Sequence, residues 1–520
     1  MLAALLEPHL LVPILSHAVP MLFAIGALLA GAAATPIAWA RARHVTTVAL
    51  LTAVATAITG AATSTAWIVA HAAVLVLIAF IGHVIARFAA TYLAGEPDQP
   101  RFVRWLLATL CGATLVVATN NLGVLVGAWL LASLSLQNLL LFHAHRPAAQ
   151  MAAHKKFLVS RMADACAIGA IALLASRFGT LEIDTIVAAV AGGAELGAAG
   201  RVAVVALATA ALLKSAQLPF HGWLMQVMEA PTPVSALLHA GVVNLGGFVL
   251  IRLHTLVAAE PVAQTLLVVV GSVTATVAAL VATTRISIKV ALAWSTCAQM
   301  GFMVLQCGLG LPEMALLHLV AHSLYKANAF LGAGTAVHHA VVANLTPRPE
   351  PAKAAARLVA LAFGAAAVWA ASTVFDVSLT TEPAVFAMGT VVALATVPLA
   401  ARGGGTNDRV AWLVRFGAAA AIVFVWFGLH ATMHAWLGAP SAPSPAAASL
   451  AAWTALTFVA LFAAQTFVVS RPQATAVRRL HARCFGGLFL DEWFTRLTLR
   501  VWPNQVARSS GSVSIDRESR

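Results

Sequence analysis

KSAQLPFHGWLMQVMEAPTPVSALLH, residues 214–239, decides the fold. Lys214 stands in the last third of an otherwise apolar run. Pro219, and then Pro231 and Pro233, break the helix twice before a second apolar run carrying His239 begins. A lone ammonium in hydrocarbon is costly unless water or a partner reaches it, so a bilayer segment that keeps one marks a functional site. Backbone groups freed by a break at membrane depth persist only where they face protein or a water-filled cavity. The stretch therefore reads as half of a polar path across a membrane.

Around it, the 520 residues are 61% hydrophobic and only 9% charged. That composition, with long apolar runs recurring from end to end, makes an all-α polytopic membrane protein. The runs fall near 11–35, 44–63, 66–93, 105–120, 121–142, 155–176, 201–218, 234–253, 263–283, 288–309, 313–335, 354–374, 384–401, 411–436 and 448–470, about fifteen transmembrane helices. The first run is too long for a signal-peptide core and lacks a cleavage-type ending, so it is expected to stay as a helix. A formal charge of +13 would suit nucleic acid if it were gathered into one stripe. The arginines instead lie singly or in pairs between the runs, which assigns them to topology and leaves membrane lipid, not nucleic acid, as the partner. Cys111, Cys166, Cys297, Cys307 and Cys484 show no CxxC and no paired spacing. They read as small core residues, with no metal or disulfide framework in this chain.

Basic residues alternate along the connections: Arg41 and Arg43, none, Arg101 and Arg104, none, then Arg146, Lys155 and Lys156. Later come Arg285, none, Arg348 and Lys353, none, Arg402 and Arg409, none, and the basic tail from Arg471. The positive-inside rule then places the N-terminus outside and the C-terminus in the cytoplasm. Arg177, Arg201 and Arg252 fit this less cleanly, falling on the side assigned as outside. The tail segment CFGGLFLDEWFTRLTLRVWP is amphipathic and too short to span comfortably. It is expected to anchor at the interface or to offer a docking surface to a cytoplasmic partner.

Six lysines stand against 25 arginines, and Lys214, Lys289 and Lys326 fall inside apolar runs. Lysine can lose its proton when desolvated whereas arginine stays charged, so sites that load and unload protons favour lysine. His318, His322 and Lys326 recur at i, i+4, i+8 and share one helix face. Imidazole both accepts and donates near neutral pH, which suits a relay. A single apolar-face histidine such as His239 is more often a hydrogen-bonded core residue. Three titratable groups on one membrane face are costly to keep without a use. Zinc at this triplet would lack a carboxylate or thiolate at ligand spacing. Asp164 is the clear acid within an apolar run; it either pairs locally with Arg161 or biases Lys214 across the bundle. Glu229 lies between the prolines, where it caps or shapes the break.

KSAQLPFHGWL, APTPVSALLHA, IKVALAWSTCAQMGFM and HLVAHSLYKANAFLGAG together resemble the antiporter-like membrane subunits shared by respiratory complex I (its L-type subunit) and the Mrp cation/proton antiporters. The resemblance implies two inverted five-helix repeats, each with a broken helix, and a hydrated ion path. By motif position that path takes Lys214, His239, Lys289, His318, His322 and Lys326, with Asp164, Arg161 and Glu229 as supporting charges. Inverted repeats with discontinuous helices also suit transport physics. The implied division is 1–104 N-terminal helices, 105–255 first repeat, 256–410 second repeat, 411–470 C-terminal helices and 471–520 cytoplasmic tail.

Three departures matter. Those relatives carry a glutamate directly after the tryptophan, as partner to the first lysine, where this chain has Trp129–Leu130. The run 384–401 lacks their lysine, and the tail is expected to be too short for the lateral helix of complex I. WLLASLSLQNLLLF, HRPAA before KKFLVSR, HAGVVNLGGF and AWSTCAQMGFMVLQCGLG are instead similar to the DabB family, membrane subunits of DAB inorganic-carbon accumulation complexes. This implies a bacterial inner-membrane protein that lets protons or sodium ions down their gradient. A large cytoplasmic zinc-containing DabA-like subunit would hydrate CO2 to bicarbonate in one direction, and the zinc would belong to that partner. A complex I-type or Mrp-type antiporter subunit is the alternative.

Overall fold

The computed structural model describes residues 8–63, 66–335, 354–401, 409–438 and 447–502. Arg348, Lys353, Arg402 and the polar end of the tail, all used in the topology reading, lie outside them. Fourteen helical segments are long and apolar enough to cross a membrane. They are α1 (Pro8–Ala30), α2 (Thr35–Ala61), α3 (Ala66–Tyr92), α4 (Gln99–Ala118), α5 (Leu122–Leu140) and α6 (Pro147–Phe178), then α8 (Gly197–Lys214) after the short α7 (Ile183–Ala191). The pair α10 (Thr232–Ala240) and α11 (Leu245–Arg252) makes one interrupted span, preceded by the short α9 (Gly222–Gln226) and followed by the short α12 (His254–Ala258). There follow α13 (Pro261–Ala282), α14 (Ile288–Gly308), α16 (Ala354–Val374), α17 (Pro383–Ala400), α18 (Arg409–Leu437) and α19 (Ala447–Ser470). The fifteenth expected helix exists as α15, Pro312–Leu331. Its histidines, lysine and asparagine keep it below the hydropathy of the others. No strand occurs among the described residues.

Prolines set many helix starts. Pro36, Pro147, Pro261, Pro312 and Pro383 stand at the first or second position of their helices, where a missing N–H costs nothing. Pro36 also corrects the expected connection at 36–43. The turn falls at Gly31–Ala34, and Arg41 and Arg43 ride on α2, Arg41 reaching back to the Leu29 carbonyl at 2.5 Å.

The expectation of a broken helix in each half is corrected in the second. There α13, α14, α15 and α17 run continuously, with Pro398 only in the last turn of α17. The break in the first half is real. α8 stops at Lys214, the chain crosses 215–231 through α9 and one 3-10 turn, and the returning span is interrupted again at Gly241–Asn244. The Asn244 side-chain amide donates to the Ala240 carbonyl at 3.1 Å and to Ser323 Oγ at 2.7 Å, so one residue serves the broken end and ties it to α15.

One large apolar core joins α1 through α15, and a smaller one gathers α16–α19 around Ala371, Met388, Val423 and Phe427. Helices without a hydrophobic drive between them associate through close backbone approach, which small residues permit. α13 and α14 do this at Gly271 and Gly301. A Cβ on Gly271 would stand 2.7 Å from the Gly301 carbonyl oxygen, and one on Gly301 would stand 2.7 Å from Ala275 N. Gly271→Val is therefore expected to destabilise the purified protein by about 1–3 kcal/mol or more. A fall in the thermal unfolding midpoint in detergent checks this, and an unchanged midpoint would show that the two helices do not cross there.

Candidate functional site

The first group of polar side chains forms where α8 ends. Lys214 Nζ lies 2.6 Å from Asp164 Oδ1, and Arg161 Nη2 lies 2.5 Å from Asp164 Oδ2. Asp164 is near the middle of α6, so the end of α8 sits deep in the bundle. The Lys214 and Asp164 side chains are only 6% and 8% exposed. Both readings of Asp164 thus hold at once, local partner of Arg161 and counter-charge of Lys214. The Lys214 ammonium also stands 4.7 Å from the Trp129 ring, a cation–π contact beside the position where the glutamate is missing.

A second group surrounds Lys326. This fully buried lysine donates to the Leu292 carbonyl at 3.1 Å and to Ser295 Oγ, and no carboxylate is paired with it. His322 and His239 are buried with all four ring nitrogens lacking a protein partner, and His239 stacks on Phe330 with centroids 4.3 Å apart. Orphaned buried polar atoms are rare and mark places that water or an ion serves. His318 Nδ1 meets Gln306 Oε1 at 3.1 Å, and its ring centroid lies 6.0 Å from that of His322. Spacing of this kind lets a proton or cation pass by small side-chain movements, with hydroxyl, amide and imidazole groups in place of bulk water.

Lys289 does not join either group directly, contrary to its place in an apolar run. It is the second residue of α14, half-buried, and donates to Thr232 Oγ1 at 2.8 Å. It lines an open polar cavity of about 250 Å³ with Tyr92, Glu96, His143, Arg146 and Glu229. Glu229 therefore faces this mouth. The cavity and Lys326 touch neighbouring turns of α14, since Leu292 and Ser295 follow Lys289 by one and two turns.

Sequence reasoning missed Lys155 and Lys156, counted only as topology charges. Both are buried on α6. Lys156 donates to Ser133 Oγ at 2.9 Å and to the Ser133 carbonyl. Lys155 is clasped by the tail: it pairs with Asp491 and donates to Thr495 Oγ1 at 2.6 Å. The tail forms α20 (Thr475–Phe485) and α21 (Glu492–Val501), which fold back on the bundle. Phe494 packs edge-on to Phe220, Trp502 stacks on His154 at 4.6 Å, and Asp491 lies so close over Gly222 that a Cβ there has no room. Burial of His221 in this connection holds its imidazole below the usual range, against the pull of Asp491. The signal was present in the sequence, because the helix starts at Pro147 and places both lysines two turns inside it.

Removing one partner of a buried ion pair leaves an uncompensated charge, worth about 3–5 kcal/mol when both are buried. Asp491 is 26% exposed and Lys155 is not exposed at all. Asp491→Ala should therefore loosen the tail by an amount at or below the bottom of that range. Faster protease cleavage within 471–502 with an unchanged bundle is the expected readout. Equal cleavage rates would mean that the clasp is not what holds the tail.

Residues 119–395 match the family model described as NADH:quinone oxidoreductase/Mrp antiporter, transmembrane region. A probable inorganic carbon transporter subunit DabB from Hydrogenovibrio crunogenus is 39% identical over 435 residues, covering 83% of this chain and 82% of that protein. A second, from Halothiobacillus neapolitanus, is 40% identical over 440 residues, covering 83% and 79%. Among solved structures, a chain of the Mrp complex from Dietzia sp. superposes with a TM-score of 0.56 at 24% identity, covering 86% of this chain and 52% of that one, a likeness of fold.

Proposed function

The chain belongs to the DabB family of inorganic carbon transporter subunits, within the antiporter-like superfamily, and from that premise we propose that it lets protons or sodium ions run down their gradient to energise one-way CO2 hydration to bicarbonate by a cytoplasmic DabA-like zinc subunit. The observation that carries the ion path is the pair of buried ammonium sites, Lys214 against Asp164 and Lys326 against Ser295. Between Lys326 and the far end of α14 and α15 stand His239, His322 and His318. The cavity of Lys289 and Glu229 supplies a mouth at the end where the tail docks. That end is the cytoplasmic one in the bacterial inner membrane, as the basic tail and the positive-inside rule support, which places the N-terminus outside. Six of the large apolar tail side chains, among them Phe485, Phe489 and Trp493, remain exposed and leave a surface for the partner.

In cells lacking carbonic anhydrase, this chain and its partner together are expected to restore growth in ambient air, and neither alone. A protonophore or a sodium ionophore should abolish the rescue, according to which ion drives it. Rescue by the partner alone, or rescue indifferent to both ionophores, would overturn the reading. Cation/proton exchange by the chain without any CO2-dependent phenotype would favour the antiporter alternative.

A further inference from the structure

One cluster of metal-binding side chains lies outside the path, built from elements far apart in sequence. Glu313 opens α15, while His430 and His434 stand four residues apart on α18 and share one face. One ligand atom from each lies within 4.8 Å of those of the other two. Glu313 and His430 are 3% and 4% exposed. Glu313 Oε1, His430 Nδ1 and His434 Nδ1 are all buried without a hydrogen-bond partner. Three orphaned electron-pair donors facing one another are costly. A cation accepting all three removes that cost.

The spacing fits. His430 Nδ1 lies 3.3 Å from Glu313 Oε1, and two donors bound tetrahedrally at 2.0–2.1 Å stand about 3.4 Å apart. The other ring nitrogen of His430 faces Glu382 Oε2 at 3.5 Å, the carboxylate–histidine arrangement that fixes the ring of a metal ligand. Glu382 is 40% exposed and gives a way in from solvent. Two imidazoles in a set of three donors disfavour calcium and magnesium, which take oxygen ligands, and favour a borderline divalent ion.

We propose that Glu313, His430 and His434 form a binding site for a divalent transition-metal ion, zinc foremost, with Glu382 orienting His430. A bound ion would staple the start of α15, the helix that carries His318, His322 and Lys326, to α18. The site stands whichever ion the path conducts.

The test uses the full chain, expressed without its partner so that no other zinc protein contributes, and purified through a histidine-free tag. After chelator stripping, incubation with zinc chloride and desalting, about one zinc per chain is expected to remain, as for a closed site. Cobalt chloride in its place should give a visible absorption band of a protein-ligated ion. Glu313→Gln, and His430→Gln with His434→Gln, should each lower retained zinc about tenfold, the lower end of what losing a supporting group costs. His318→Gln with His322→Gln should retain the wild-type amount. Wild-type protein that keeps no zinc and shows no cobalt band overturns the site, as does equal retention by the double variant at 430 and 434. The cobalt band of the wild type decides the matter even where a variant fails to fold.

Discussion

Asp164→Asn is expected to abolish growth in ambient air of carbonic-anhydrase-deficient cells that carry this chain and its partner. The asparagine keeps the shape but takes away the only carboxylate paired with Lys214, itself 6% exposed. Removing one member of a buried pair leaves a charge without compensation, at about 3–5 kcal/mol. Lys214 must then give up its proton permanently or swing away, and either outcome stops it from loading and unloading an ion. Arg161→Ala should have a smaller effect, because that guanidinium is 31% exposed and water can screen its loss. The informative companion is Leu130→Glu in the Asp164→Asn background. It returns an acid beside Trp129, whose ring lies 4.7 Å from the Lys214 ammonium, and should restore part of the growth. Immunoblots of the membrane fraction separate loss of conduction from loss of protein. Full growth of Asp164→Asn at normal abundance would remove the ion pair from the path.

Lys326→Met is expected to eliminate growth in the same assay while leaving the protein abundant. Methionine matches the aliphatic length of the side chain and fills a core readily, so packing against α14 survives. What disappears is the ammonium held by the Leu292 carbonyl and Ser295 Oγ. A helix-packing role predicts retained growth, and an ion-carrying role predicts none. Lys289→Met should reduce the rate without abolishing it, because Lys289 borders an open cavity that Arg146 and His143 also line. Equal loss from both substitutions would place Lys289 on the obligatory route.

The helices were legible because apolar runs of spanning length have few other fates, and α3 agrees with its run to within one residue. Boundaries failed where charge was read as connection. Arg41 sits inside α2 because its long side chain reaches a carbonyl at the helix end instead of open water. The triplet His318, His322 and Lys326 was legible from i, i+4 spacing alone, since periodicity within one helix survives folding. The partner of Lys214 was legible only as one of two alternatives, because nothing local says whether Asp164 faces Arg161 or another helix; it faces both. Glu313 with His430 and His434 left no trace, since three ligands brought together by the packing of α15 on α18 have no spacing to read. The tail was read as amphipathic, and its buried Phe494 and Thr498 accord with that. That its first neighbour is the bundle itself depends on a lysine that looked like a surface charge.

α6 carries both Lys155, gripped by the tail, and Asp164, which holds Lys214. The two positions are nine residues apart on one uninterrupted helix, about 14 Å along its axis. Such a rod is stiff over that distance, so a twist or tug applied to the tail reaches the carboxylate almost undiminished. Whatever grips the tail from the aqueous side has a handle on the charge pair at mid-depth without entering the bilayer.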